Sequence, residues 1–235
     1  MAEKVNLKVI CFYWIGDRWR KQTLAMASNY VNCLYRGVVR NLSIPFEFIC
    51  FTNEKLEGLE EQVEIRKFAS PVNKGVLPRM YMFSEESGLF GNQVLALDLD
   101  IVIVDSLDDI AGYQGLFASR SKFAPGQQGK LDGDITSFRA GPENEARLWT
   151  PFKEDFNKVI ELTKGRERYW FREQVGNEAD RWDILFPNQV VSYKRHVKRN
   201  EGKIPKNARI VSCHGNPRPH QLDGMSHVWL KRHWV

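Results

Sequence analysis

The sequence predicts an α/β fold with a mostly parallel central sheet flanked by helices, and three observations carry that reading. Short apolar runs alternate with stretches of helical spacing through the first half of the chain, as in doubly wound sheets. One apolar run, Gln93-Val94-Leu95-Ala96-Leu97, drives into two aspartates one residue apart, and a second leaves them. The 235 residues, 43% hydrophobic and 27% charged, are enough for one sizeable core.

Taken in order, residues 7–14 read as a first strand. Residues 23–40 carry Leu24, Ala27, Val31, Leu34 and Val38 at helical spacing, so one face is apolar. Residues 45–52 read as a second strand and 63–68 as a short third. Residues 78–86 read as a helix with Pro78 in its first turn, where a missing N–H costs nothing. Residues 94–97 form the strand entering the aspartates. Residues 114–119 and 135–139 are expected as strands and 151–163 as a helix. The short strands 189–193 and 209–213 close the list. Neither an internal repeat nor a low-complexity linker divides the chain, so one domain over 1–235 is expected.

Composition narrows the classes of function. Apolar stretches fall short of the ~20 residues that span a bilayer. The opening Met-Ala-Glu-Lys-Val-Asn-Leu-Lys lacks the apolar core of a signal peptide, so a cytoplasmic protein is expected. The four cysteines (Cys11, Cys33, Cys50, Cys213) form no Cys-x-x-Cys pair, which speaks against a disulfide framework or a zinc knuckle. A net charge of +5 suits a phosphate-bearing ligand. The lysines and arginines are scattered rather than run together, so nucleic acid is not expected as a partner.

Alternate residues of an extended chain point the same way, so Asp98 and Asp100 present two carboxylates together. Hard oxygen ligands so placed suit Mg²⁺ or Mn²⁺, and two adjacent acids at a buried strand end repel each other without a cation between them. A plain surface turn is the bland alternative. A second constellation lies in Ser212-Cys213-His214-Gly215-Asn216-Pro217-Arg218-Pro219. A histidine can complete a metal site begun by carboxylates, Gly215 permits close backbone approach, and Arg218 offers a fork for phosphate oxygens. A loop with a solvated arginine is the alternative here.

Leu-Ala-Leu-Asp-Leu-Asp-Ile-Val-Ile-Val, followed by Ser-Leu-Asp-Asp-Ile, resembles the metal-binding strand of GT-A nucleotide-sugar glycosyltransferases. His-Gly-Asn-Pro-Arg-Pro resembles the closing His-Gly-x-x-Lys-Pro segment of the glycogenin and bacterial galactosyltransferase-like group, and the order of the two motifs matches. The resemblance implies a single GT-A, Rossmann-like domain, with nucleotide and metal bound by 1–110 and the acceptor by 111–235. It implies that Asp98, Asp100 and His214 hold Mn²⁺ or Mg²⁺ at the diphosphate of a nucleoside diphosphate-sugar, with uracil the family's usual base. Arg218 stands where the family has lysine. In some relatives the metal histidine lies a few residues before the glycine, nearer Ser212.

By the same resemblance, Phe12, Tyr13 and Trp14, within Phe12–Asp17, look like the nucleotide loop, and Thr52 and Asn53 like base contacts. Lys74, Arg79, Leu99, Gly215 and Arg218 look like further donor contacts. Asp134 and Ser137 resemble polar groups beside the anomeric carbon. Glu173 and Gln174 stand where relatives carry Asp-Gln or Asp-Glu near the reacting centre. Sugar transfer to a glycan, lipid or protein hydroxyl follows, with retention suggested by the group.

Two rival classes remain at this level. Asp98-Leu99-Asp100-Ile101-Val102 also fits the nucleophile strand of haloacid-dehalogenase-type phosphatases, although almost a hundred residues precede it and Asp108-Asp109 follows too soon. A non-catalytic carbohydrate-binding module would use exposed aromatics such as Trp14, Trp19, Trp229 and Trp234. The basic, aromatic segment 228–234 is expected to pack as a helix, with peripheral membrane contact as its other use.

Overall fold

A computed structural model describes residues 6–16, 24–127 and 129–235. Among the described residues, ten strands form two sheets: β1 (Leu7–Tyr13), β2 (Phe46–Thr52), β3 (Val63–Arg66), β4 (Gln93–Leu97), β5 (Ile101–Ile103), β6 (Phe117–Ser121), β7 (Leu131–Arg139), β8 (Asp180–Arg181), β9 (Val190–Ser192) and β10 (Ile210–Ser212). The seven-stranded sheet runs β3-β2-β1-β4-β7-β6-β8. Pairings among β3, β2, β1 and β4 are parallel, β7 lies antiparallel between β4 and β6, and β8 pairs parallel with β6. A small second sheet runs β5-β10-β9.

All seven residues of β1 are buried, as a central parallel strand covered on both faces requires. Alternation sends Val9 and Cys11 to one face, where Ala27, Val31, Leu34 and Val38 of helix α1 (Leu24–Asn41) pack. Ile10 and Phe12 point to the other, against Phe51, Met80, Phe83 and Phe138. The apolar stripe expected over 23–40 is thus the stripe that packs. Thr23, the side chain of Leu24, Asp17 and Trp19 lie outside the described residues.

Several sequence expectations need correction. The helix expected over 78–86 is two 3₁₀ segments, Leu77–Phe83 and Glu85–Ser87; all of Leu77–Phe83 is buried, and the Ser84 hydroxyl donates to the Tyr81 carbonyl at 2.8 Å where the chain turns. The helix expected over 151–163 breaks at Asp155, whose carboxylate accepts from the Lys158 amide at 3.1 Å and so caps the separate helix Phe156–Thr163. The strand expected over 114–119 starts later, at Phe117, and the one over 135–139 starts earlier, at Leu131, because β6 and β7 pair with each other across a bulge at Ser119/Arg120. β5, β8 and the helix Glu167–Val175 were not anticipated as elements. Among the described residues, no helix is long and apolar enough to cross a membrane.

Candidate active site

The topology gathers one set of strand ends. β1 and β4 finish at Tyr13 and Leu97, and antiparallel β7 starts beside the end of β4, where the Asp98 amide donates to the Asp134 carbonyl at 2.9 Å. β6 finishes beside Asp132. Asp98, Leu99 and Asp100 make the turn from β4 into β5, and the Cys213 amide donates to the Asp100 carbonyl at 3.0 Å, bringing the tail after β10 to the same place. Around these ends lies a cavity of about 480 Å³. Crevices at the carboxyl ends of parallel strands are where open α/β sheets bind ligands.

Phe12, Tyr13, Trp14, Arg79, Asp98, Leu99, Asp100, Asp134, His214, Gly215 and Arg218 all line the cavity, a grouping that the sequence reading anticipated. Arg79 is 4% exposed; its guanidinium reaches Asp98 Oδ1 at 2.5 Å and Glu167 Oε1 at 3.3 Å. Burial pushes the Asp98 carboxyl up to about 6, with Arg79 opposing. Burial likewise pushes Glu167 up to about 7 against Arg79. Arg218 forms an ion pair with Asp100, so the two motifs that stand out in the sequence meet directly. Tyr30 of α1 completes this side, its hydroxyl 2.5 Å from His220 Nδ1.

On the far side, Arg120 lies 3% exposed with its Nη2 2.7 Å from Asp134 Oδ2, and the Ser212 hydroxyl donates to the same oxygen at 2.7 Å. Burial would raise the Asp134 carboxyl, yet Arg120 and Ser212 together hold it below the usual range. With its carboxylate so occupied, Asp134 orients Arg120, whose guanidinium carbon sits 3.9 Å from the Phe123 ring centre. His214 stacks on the same ring, centres 5.7 Å apart, and its Nε2 is 2.8 Å from the Ser192 hydroxyl.

Other expected site residues fall elsewhere. Thr52 accepts from the Glu54 amide at 3.0 Å, and Asn53 exchanges hydrogen bonds with the Phe68 backbone at 2.9 and 3.2 Å, so both fasten the end of β2 rather than line the cavity. Lys74 is exposed. Ser137 is buried in the sheet, accepting from Gln93 Nε2 at 3.1 Å. Glu173 is exposed and Gln174 half-buried, neither among the cavity-lining residues, because the helix Glu167–Val175 turns its first residue to the cavity instead. Glu167, Arg120, Asp132, Arg166, Arg168 and Tyr30 were missed. A charged run such as Arg166-Glu167-Arg168 reads as a solvated face, and nothing local marks Glu167 as the buried member.

The donor set can be tested against a divalent cation. Asp98 and Asp100 are hard oxygen ligands lining one cavity, where burial raises the Asp98 carboxyl although Arg79 lies beside it. Two carboxylates with water and substrate oxygens suffice for Mg²⁺ or Mn²⁺. Among the described residues no three His, Cys, Asp or Glu side chains gather around one point, and the His214 Nε2 lies 2.8 Å from the Ser192 hydroxyl. The fit is to Asp98 and Asp100.

The buried Glu167 carboxyl has a stability consequence. Its pKa is about 7 when folded against 4.5 in the open chain, so between those values the folded form holds the extra proton and stability falls as pH rises. Glu167→Gln removes this titration. Between pH 5 and 7 the wild-type melting temperature is expected to fall relative to Glu167→Gln by about 4–8 °C, the shift of ~2 kcal/mol at this chain length. Parallel melting curves across that range would contradict the assignment.

No protein-family model and no curated protein matches the sequence. Solved structures do match the fold. Galactosyltransferase LgtC, solved with donor and acceptor sugar analogues, superposes with TM-score 0.64 at 7% identity, covering 97% of this chain and 96% of that one. Glycosyltransferase GlyE of Streptococcus pneumoniae TIGR4 gives 0.65 at 12% identity, over 97% of this chain and 60% of its own. The bifunctional glycosyltransferase WbbM gives 0.59 at 8% identity, over 99% of this chain and 50% of its own. The seven-stranded, mostly parallel sheet flanked by helices is the GT-A glycosyltransferase fold.

Proposed function

We propose that this protein transfers a sugar from a nucleoside diphosphate-sugar, a UDP-sugar, to an acceptor hydroxyl, with Mn²⁺ or Mg²⁺ as cofactor. The observation that carries the reading is the meeting of Asp98, Asp100 and Arg218 in the cavity at the ends of β1 and β4 of a GT-A sheet. Residues 1–110 are assigned to nucleotide and metal, and 111–235 to the acceptor and closing tail.

Asp98 and Asp100 would hold the metal, which when bound neutralises charge developing on the departing diphosphate. Arg79 keeps Asp98 in place from behind and favours its ionised form. Arg218 would release Asp100 and turn its fork to phosphate oxygens, supplying positive charge where the bond to the anomeric carbon breaks. The backbone amide of Gly215 is assigned to the same oxygens. Tyr13, with Phe12 and Trp14, offers the base an aromatic and backbone wall. Tyr30 and Trp14 help exclude water, which would otherwise compete with the acceptor hydroxyl. Arg120, aimed by Asp134, is placed to hold the transferred sugar. We assign retention at the anomeric carbon, following the glycogenin-like resemblance.

The test is calorimetric titration of UDP into metal-stripped protein with and without Mn²⁺, repeated on Asp100→Ala. Binding is expected to require Mn²⁺ and to weaken at least about ten-fold in the variant, the loss of ~1.4 kcal/mol. Failure of both UDP and GDP to bind would overturn the reading.

A further inference from the structure

Four cations gather around Tyr169, two of them lining the cavity, with too little negative charge to balance them. Arg168 and Arg172, one helical turn apart, flank Tyr169, their guanidinium carbons 5.5 and 5.0 Å from its ring centre. Lys122, just beyond the end of β6, puts its Nζ 5.9 Å from the same ring. Arg166, exposed, precedes the helix and lines the cavity with Arg168. Among the described residues, the nearby Asp132 is shared between Arg168 at 3.3 Å and Arg120 at 3.2 Å, and Glu167 is paired with Arg79. Among the described residues, Lys122, Arg166 and Arg172 have no carboxylate within ion-pair distance.

The repulsion is felt by the groups themselves. Partial burial lowers Lys122, and Arg168 and Arg172 lower it further. The neighbouring Arg166 and Arg168 side chains lower the Tyr169 phenol. Like charges held this close are stabilised by an anion between them.

Within that one cavity, sheet order puts this cluster on a different flank from the proposed nucleotide wall. β4, which delivers Asp98, lies between β1 and β7. The proposed nucleotide wall is on the β1 side, whereas Lys122 and Arg166–Arg172 belong to the β6–β7 side and the helix over it. We propose that the acceptor carries a phosphate or carboxylate, held by Lys122, Arg166, Arg168 and Arg172 beside the Tyr169 ring while its hydroxyl enters the cavity. This assignment rests on the sugar-transfer reading and adds the acceptor's chemical class to it. The planar guanidiniums suit two-pronged hold on either anion, and Tyr169 offers a face on which a sugar ring can lie.

Protein loaded with UDP and Mn²⁺ is titrated with glucose 6-phosphate, glucuronate and glucose. The two anionic sugars are expected to bind at least about ten-fold more tightly than glucose, with the preference shrinking as salt rises from 0.05 to ~0.5 M. Lys122→Gln/Arg172→Gln should abolish the preference while UDP affinity, which also reports folding, is retained. Lys122→Glu, which leaves the Arg172 bond to the Leu131 carbonyl intact, should do the same. Equal binding of all three sugars, a preference that survives in both variants, or displacement of UDP by glucose 6-phosphate would each overturn the proposal. Tighter binding of UDP-glucuronate than UDP-glucose, with the free sugars alike, would assign the anion to the donor and overturn it too. Failure of the underlying reading looks different, because UDP itself would then not bind.

Discussion

Arg79→Met is expected to cost about 3–5 kcal/mol of folding stability, the usual penalty for removing one partner of a buried ion pair. Arg79 is almost fully buried and its guanidinium serves two carboxylates, Asp98 and Glu167, each of which burial already pushes toward protonation. Methionine matches the volume but leaves both acids without a cation, so they must protonate or draw in water. Urea unfolding at pH 7 should show a lower midpoint with little change in slope. Adding Glu167→Gln should recover part of the loss, since one of the stranded acids is then neutral. A single variant within ~0.5 kcal/mol of wild type would mean that the pair contributes no net stability, as for exposed ion pairs.

Gly75→Ala is the second large effect. Gly75 has φ +58, and a Cβ there would lie 2.0 Å from the carbonyl oxygen of Gly165. The neighbouring Val76 amide donates to that same oxygen at 2.9 Å, so this is a crossing of two backbones that no side-chain motion can relieve. One strand of the crossing leads to Arg79 and the other to Glu167, so forcing them apart loosens the ion pair as well. A loss of about 2–4 kcal/mol is expected, with UDP binding weakened in parallel. Gly58→Ala is the control: its φ is +71 and nothing lies within 4 Å of the added Cβ, so only the backbone term of ~1 kcal/mol remains. Equal melting temperatures for the two variants would rule out the crossing as the cause.

The sequence revealed what periodicity and motif can carry. The apolar spacing of α1 and the buried run of β1 are local patterns found where they are expected, whereas the paired aspartates, expected on an extended strand, lie in the turn between β4 and β5. The meeting of Asp100 with Arg218 was legible only through the order of two motifs. Glu167 was not legible, because its burial is imposed by the Gly75–Gly165 crossing and by Gly133, where a Cβ would lie 2.4 Å from its carboxylate oxygen. The contact of His214 with Ser192, on a neighbouring strand, was not legible either, because strand pairing sets it. Glu173 and Gln174 lie on the helix Glu167–Val175 outside the cavity lining, a helical phase that the sequence does not display.

The second sheet bears on how the two aspartates are held. β4 finds β1 and β7 within the main sheet, whereas β5 pairs with β10, Ile103 opposite Ile210, across a long intervening stretch of chain. Asp98 is held by the main sheet, its amide on the Asp134 carbonyl, whereas the Asp100 carbonyl is held by the Cys213 amide of the tail. The two carboxylates, two residues apart, thus depend on different parts of the chain, and a change that detaches the tail after β10 disturbs Asp100 while Asp98 keeps its place on the main sheet.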